Sequence, residues 1–219
     1  MLSRASGLYP GDSVFRGRCA ARRRRSPRGD VADFRAGRFE ESRGTQSLDA
    51  ERVLDWSGVP TVRVRPTFFS EWLIFPWVLD TIVNEGKITL PYGSGRHAPI
   101  AAEDQARFIA TVLTHPSGHI GKTYELCGPV ELDHQGIAEE LSNVIDRKIV
   151  YSPATLDEYR EHLQKYDLPE FVIQHFIEVA IDYQNGVFRG KDSMIEQITG
   201  KAPQTVEAFV RANRQLFGA

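Results

Sequence analysis

The sequence has no long hydrophobic run and very little cysteine. Its longest uncharged apolar run extends from Trp72 to Leu79 and contains a proline, whereas a helix that crosses a bilayer needs about 20 apolar residues. We therefore expect no transmembrane helix and no membrane partner. The only two cysteines, Cys19 and Cys127, form no Cys-x-x-Cys motif, which fits a reducing compartment and predicts a cytoplasmic location.

Lysine is absent from the first 44 residues, and charge is spread unevenly along the chain. Residues 1–44 hold 11 Arg and 5 acidic residues, a net charge of +6, whereas residues 45–219 carry −8. The Arg-rich segment has no helical or strand periodicity and is interpreted as a disordered or non-native leader. A transit peptide is one alternative. A nucleic-acid-binding arm is another, but nucleic acid is not an expected partner because no recognition element accompanies the arginines.

Helical and strand patterns alternate from residue 45 onward. Val62 and Val64 alternate with polar residues, as in a half-buried strand, whereas Ile137, Leu141 and Val144 follow a one-sided helical spacing. Strands that alternate with helices predict an α/β fold with a parallel sheet. The predicted strands are 61–65, 87–90, 122–126 and 148–153, and the predicted helices are 47–56 with Ser47 as the cap, 72–84, 103–113, 137–145, 169–186 and 204–217.

Three histidines and one glycine motif are candidates for chemical sites. Gly93–Ala98 matches G-x-G-x-x-A, but Pro99 intervenes before any helix that could meet a phosphate, so the motif is interpreted as a turn. His115 and His119 are separated by a proline and a glycine that prevent a common helical face, and no metal is expected. His97 lies in the glycine-flanked turn, from which it could face a cleft, although a solvated loop histidine is the expected interpretation.

The stretch "RPTFFSEW" follows the predicted strand 61–65 and is rich in aromatic residues. In doubly wound α/β folds, ligands bind just beyond the carboxyl ends of parallel strands. The rings of Phe68 and Phe69 therefore either wall a site for a flat ring or pack against neighbouring helices. In the first case, the backbone amides of residues 67–70 would be free to pair with an amide substituent. The residues alone leave both interpretations open.

From about Ser47 to Phe217, the chain resembles the NmrA-like group of atypical short-chain dehydrogenases/reductases. "AERVLDWSGVPTVRVRPTFF" is similar to that group's last Rossmann helix, strand and nicotinamide-side loop. "EGKITLPYGSGRHAPIAAEDQARFIATVL", "GKTYELCGP" and "ITGKAPQTVEAFVRAN" resemble its later segments in order. The resemblance implies the carboxyl-terminal part of a Rossmann-like parallel sheet plus a small, mostly helical substrate-side lobe, within a domain at 45–219. The amino-terminal Gly-rich βαβ units of that group are missing.

The resemblance implies NADP or NAD as the cofactor and a small molecule as the substrate. The cofactor-side residues would be Pro66, Thr67, Phe68, Phe69 and Ser70, and the substrate-side residues would be Trp72, Tyr92 and Phe176. The catalytic Tyr-x-x-x-Lys pair of typical short-chain dehydrogenases would fall near Ser47 and Glu51. Neither residue replaces a phenol activated by a cation, so the catalytic residues are unknown.

Two functions follow from the resemblance. The first is an NAD(P)H-dependent oxidoreductase that transfers a hydride to a quinone, azo or carbonyl compound in intact relatives. The alternative is an NmrA-type redox-sensing regulator that binds NAD(P) and a protein partner without catalysis. A homo-oligomer is compatible with both functions, and the truncated chain itself is expected to be inactive if the missing half is required.

Overall fold

The computed structural model describes residues 43–218, and of residues 43–48 only the backbone. The predicted leader at 1–44 lies outside the described residues, apart from its last two, which belong to the first helix. The helices are α1 (Arg43–Trp56), α2 (Pro76–Glu85), α3 (Ala102–Thr114), α4 (His134–Ile145), α5 (Leu156–Leu163), α6 (Glu170–Gln184), α7 (Met194–Thr199) and α8 (Val206–Ala212). The strands are β1 (Arg63–Pro66), β2 (Lys87–Leu90), β3 (Arg96–His97), β4 (Thr123–Leu126), β5 (Leu132–Asp133) and β6 (Val150–Pro153).

Three of the predicted helices differ clearly from the structure. The helix predicted at 204–217 is divided into α8 and a 3₁₀ helix, Arg214–Phe217. Helix α1 begins at Arg43, so Ser47 lies inside it and is not its cap. The helix predicted at 72–84 is divided into a 3₁₀ helix, Ser70–Ile74, and α2. Pro76 occupies the first position of α2, where a backbone N–H would have no hydrogen-bond acceptor within the helix, so proline costs nothing there. Gly86 ends α2 in the left-handed conformation, at a φ of 67°.

The predicted parallel pairing of strands is confirmed. Strand β1 pairs in parallel with β4, and β2 pairs in parallel with β6. Both pairs join strands that are separated by helices, as a βαβ connection requires. A third pair, β3 with β5, is antiparallel and was not predicted. The turn at residues 93–98 leads directly into this short pair, because β3 starts at Arg96.

The buried side chains form two clusters. The larger one lies between β2, β6 and the helices α2, α4, α5, α6 and α8, and the smaller one lies between β1, β4, α3 and α7. The apolar pattern of α4 is confirmed, because Ile137, Leu141, Val144 and Ile145 are all buried. Helix α3 has a narrower buried stripe than predicted, since Leu113 is 73% exposed. The loop that follows β1 lies where the two clusters meet, because Phe68 belongs to the larger cluster and Phe69 packs on the smaller one.

One edge of β1 and one side of α1 are uncovered within residues 43–218. Strand β1 pairs only with β4 in this part of the chain, and α1 exposes Val53, Leu54 and Trp56. Glu51 fixes α1 to β1, because its carboxylate accepts hydrogen bonds from Arg65 Nε at 3.1 Å and Arg65 Nη2 at 2.5 Å. An open strand edge next to exposed apolar side chains is a site for association with another chain.

We expect the 219-residue chain to self-associate or to bind a hydrophobic dye through this surface. Trp56→Lys combined with Leu54→Lys should lower dye fluorescence and raise the monomer fraction in size-exclusion chromatography with light scattering. Leu113→Lys is the matched control, because that exposed leucine lies on α3. A monodisperse unmodified monomer with a sharp cooperative melt would contradict the expectation.

Candidate functional site

The loop at residues 66–70 leaves the carboxyl end of β1 and crosses toward α2. Thr67 N donates to Leu126 O at 2.9 Å, and Ser70 N donates to Ile100 O at 2.7 Å. The expectation that the amides of this loop are free to bind an amide substituent is therefore wrong for Thr67 and Ser70. These two hydrogen bonds continue the parallel pairing beyond β1 and fix the course of the loop.

A small cavity of about 20 Å³ adjoins this loop. Five of the eight residues predicted as cofactor-side or substrate-side line it, namely Phe68, Phe69, Ser70, Trp72 and Tyr92. The other three, Pro66, Thr67 and Phe176, do not line it, although the Phe176 ring meets the Trp72 ring edge-on at 5.6 Å between centroids. The structure thus brings most of the predicted residues together around one space, which has room for about one water molecule.

Phe68 lies at the centre of an aromatic cluster. Its side chain is 2% exposed, and its ring centroid lies 4.4 Å from that of Trp72 and 4.6 Å from that of Phe188. The rings of Tyr92 and Tyr183 are also in edge-on contact with it. The two interpretations of this aromatic residue therefore do not exclude each other, because Phe68 is a core residue that also forms one wall of the cavity.

His97 faces the same cavity, and the expectation of a solvated loop histidine is wrong. Its side chain is buried, and its Nδ1 is paired with the hydroxyl of Tyr183 on α6. Burial holds the pKa of His97 well below its usual range, and the nearby His134 imidazole acts in the same direction. The imidazole is therefore neutral at physiological pH.

His134, the first residue of α4, is the second buried imidazole of the cavity lining. Its ring centroid lies 5.8 Å from that of His97, and burial lowers its pKa to about 3, with Asp133 opposing the shift. Its Nδ1 has no hydrogen-bond partner among the described residues. Asp133 does not supply one, because its side chain caps α4 by accepting from Gly136 N at 2.8 Å.

Two buried hydroxyls of the 66–70 loop also lack partners. Thr67 is fully buried and Ser70 is 2% exposed, and neither Thr67 Oγ1 nor Ser70 Oγ forms a hydrogen bond within residues 43–218. Buried polar groups are nearly always paired in folded proteins. These hydroxyls are therefore candidates to bind something that the described part of the chain does not provide.

The local structure requires glycine at both Gly93 and Gly95 of the G-x-G-x-x-A motif. Gly93 turns the chain with a φ of 56°. A Cβ at Gly95 would lie 2.3 Å from the ring of Tyr183, so only glycine lets α6 approach the turn. The interpretation of the motif as a turn is confirmed for Gly93 and Ser94, whereas Arg96 and His97 form β3. The second glycine allows Tyr183 to pack beside His97.

One relative and three solved structures place the chain among known proteins, although no family model matches it. An NAD(P)H azoreductase from Xenophilus azovorans is 28% identical over 167 residues, which cover 74% of this chain and 56% of the azoreductase. A nucleoside-diphosphate-sugar epimerase from Staphylococcus aureus is 26% identical, with a TM-score of 0.68 over 79% of this chain and 59% of the other. The chain spans about half the length of the curated relatives it matches.

Two of the structures carry a bound dinucleotide. One is an NADPH-dependent quinone oxidoreductase from Escherichia coli complexed with NADPH, 20% identical, with a TM-score of 0.70 over 79% of this chain and 60% of that chain. The other is NmrA, a negative transcriptional regulator in complex with NAD, 12% identical, with a TM-score of 0.62 over 78% and 59%. At these identities the likeness shows the fold. The resemblance to the NmrA-like group is confirmed.

Sequence reasoning missed the polar residues at the cavity. His97, His134 and Tyr183 were not predicted as site residues, yet β3, α4 and α6 bring them together. Their signal in the sequence was weak. His97 follows a glycine turn, His134 starts a helix, and Tyr183 lies in a mostly apolar helix. The other histidine pair stays apart from the cavity, with His119 Nδ1 2.6 Å from the hydroxyl of Tyr124.

Residues 43–218 contain neither a candidate metal site nor a candidate membrane span. No group of His, Cys, Asp or Glu in this range has the geometry of a metal site. No helix in the described part of the chain is both long and apolar enough to cross a membrane.

Proposed function

We propose that this chain is the carboxyl-terminal part of an NAD(P)H-dependent oxidoreductase of the NmrA group, with its NAD(P)-binding domain starting near residue 45. The observation that carries the proposal is the cavity built by the loop after β1, in a chain whose relatives include an azoreductase named for NAD(P)H. The substrate class is a small quinone, azo or carbonyl compound that accepts a hydride from the nicotinamide.

The cofactor side of the proposed site is the loop at residues 66–70. The unpartnered hydroxyl of Ser70 lines the cavity and fits a carboxamide, which both donates and accepts hydrogen bonds, whereas the Thr67 hydroxyl lies outside the cavity lining. Pro66, Phe68 and Phe69 give the loop its rigid apolar body and exclude water. The bound cofactor supplies the hydride, and this chain positions the ring and keeps the site dry.

The substrate side is formed by Trp72 and Tyr92, with Phe176 supporting Trp72 from behind. No acid–base residue is assigned at the positions of the Tyr-x-x-x-Lys pair. Ser47 is described only in its backbone, and the Glu51 carboxylate is engaged by Arg65. Position and exclusion of water therefore account for the chain's contribution to hydride transfer.

The alternative function, a redox-sensing regulator with a protein partner, has no specific observation in its favour. The likeness to NmrA at 12% identity shows the fold alone. A homo-oligomer remains a proposal that the uncovered edge of β1 makes testable. A cytoplasmic location remains a prediction.

The test is NAD(P)H binding and oxidation with and without an amino-terminal half. The pyrophosphate anchors of a dinucleotide lie in a Gly-rich turn, and residues 43–218 contain none that leads into a helix. We expect no NADPH binding by the 219-residue chain at micromolar concentration. Joining it to a family-like amino-terminal half should restore binding and the oxidation of NADPH by a quinone panel.

In the extended protein, Ser70→Ala should weaken NADPH binding several-fold, because it removes one hydrogen-bonding group from the cavity lining. Ser94→Ala, at an exposed serine in the turn, is the matched control and should bind as the parent does. Micromolar binding by the unextended chain would place the phosphate site elsewhere. An extended protein that folds but neither binds nor oxidises NADPH would overturn the proposed function.

A further inference from the structure

The described lining of the cavity beside Phe68 includes polar side chains but no charged one. It contains no Asp, Glu, Lys or Arg. Its nitrogen-bearing side chains are His97, His134 and Trp72, and both imidazoles are neutral because they are buried. Transfer of an ion into such a place without a partner is very unfavourable, so the lining favours an uncharged guest.

The pairing with Tyr183 selects one tautomer of His97. A phenolic hydroxyl has one hydrogen to donate, and within residues 43–218 the Tyr183 hydroxyl has no hydrogen-bonding contact other than His97 Nδ1. Donation from the hydroxyl to Nδ1 satisfies that hydrogen and places the imidazole proton on Nε2. The Nε2–H is then the ring's remaining donor, in a side chain that lines the cavity.

We propose that His97, oriented by Tyr183, is the hydrogen-bond donor to the acceptor substrate, and that the site takes an uncharged flat aromatic molecule with a carbonyl oxygen or azo nitrogen next to its ring. The rings of Phe68, Trp72 and Tyr92 bind the flat face, and the His97 Nε2–H binds the acceptor atom. This inference rests on the proposed function for its biological role, but the binding it describes needs no dinucleotide.

Trp72 controls access to the site. The cavity of about 20 Å³ is far smaller than the roughly 150 Å³ that holds a benzene molecule in an engineered core. Trp72 lines the cavity, is half-buried and belongs to the short 3₁₀ helix Ser70–Ile74. Displacement of its indole opens the space to a ring, and Trp72→Ala opens it permanently.

The test uses three probes of nearly equal size with the 219-residue chain and its Trp72→Ala variant. Acetophenone carries an uncharged acceptor atom, isopropylbenzene carries none, and benzoate carries a charge. We expect acetophenone to bind about tenfold more tightly than isopropylbenzene, which is about 1.4 kcal/mol, and benzoate not to bind. Acetophenone should also shift the imidazole Nε2–H signal of His97 in ¹H–¹⁵N spectra, whereas isopropylbenzene should not.

His97→Phe keeps an aromatic ring and removes the donor. It should reduce acetophenone affinity to that of isopropylbenzene and leave isopropylbenzene affinity unchanged. His115→Phe, at an exposed histidine, is the matched control. Equal binding of acetophenone and isopropylbenzene by the parent chain would overturn the proposal, as would binding of benzoate or failure of both chains to bind any ring. These results do not depend on NADPH, so they are distinguishable from failure of the proposed function.

Discussion

Phe68→Ala is expected to lower the free energy of unfolding by about 3–5 kcal/mol, the range for removal of a buried aromatic ring. The ring is 2% exposed and touches aromatic neighbours from the loop, the turn and α6. Because the rings of Tyr92 and Tyr183 stack on each other at 4.5 Å between centroids, they cannot collapse fully into the space, and a cavity remains. Chemical denaturation at low protein concentration measures the loss.

The matched control is Phe171→Ala, because that phenylalanine of α6 is 63% exposed. Its cost should stay within about 0.5 kcal/mol, as at most surface positions. Phe209→Ala, at a buried position of α8 remote from the cavity lining, should cost as much stability as Phe68→Ala. A loss below 1 kcal/mol for Phe68→Ala would show that the ring is a mobile wall and not part of the core.

This result also separates two roles for the loop after β1. Since Phe68 belongs to the larger core cluster, weaker ligand binding in Phe68→Ala would reflect both lost contact and lost stability. Phe69 is half-buried against the smaller cluster, so Phe69→Ala is the better probe of ligand contact. In the extended protein, it should weaken NADPH binding with a smaller loss of stability than Phe68→Ala.

The sequence predicted the elements of the fold well where periodicity is strong. The spacing of Ile137, Leu141 and Val144 defined α4, and the alternation around Val64 defined β1. Boundaries were less predictable, because a 3₁₀ turn before Pro76 and an early start of α1 leave no periodic signal. The antiparallel pair of β3 and β5 has two residues in each strand, too few for an alternation to be recognised.

The candidate site was predictable on its aromatic side and not on its polar side. The residues from Phe68 to Trp72 are adjacent in sequence, so one strand-end argument finds them together. His97 and Tyr183 are 86 residues apart, and their contact depends on the way α6 packs across Gly95. A single sequence carries no signal for such a contact, because each residue alone is typical of a turn or of a buried helix.

Acidification is expected to destabilise the chain through its two buried imidazoles. The pKa of His134 is lowered to about 3 and that of His97 is lowered well below its usual range, in both cases mainly by burial. Below pH 6.5 the unfolded chain binds protons that the folded chain does not, so stability is present above that pH and falls as pH decreases. Between pH 6.5 and pH 5, His134 alone accounts for about 2 kcal/mol, at 1.36 kcal/mol per pKa unit.

Denaturation curves at pH 7 and pH 5 measure this loss, and His134→Gln should reduce it by about 2 kcal/mol, whatever the variant costs at pH 7. His97→Gln should also reduce the loss of stability between pH 7 and pH 5. His115→Gln, at an exposed position outside the cavity lining, is the control for replacement of a histidine by glutamine. Glu71 and Asp192 act oppositely, since burial raises their pKa values, so comparison between variants isolates the imidazoles. An unchanged pH difference in His134→Gln would mean that His134 is charged in the folded chain. A charged imidazolium beside Phe68 and Tyr92 would remove the physical basis for a site that selects uncharged rings.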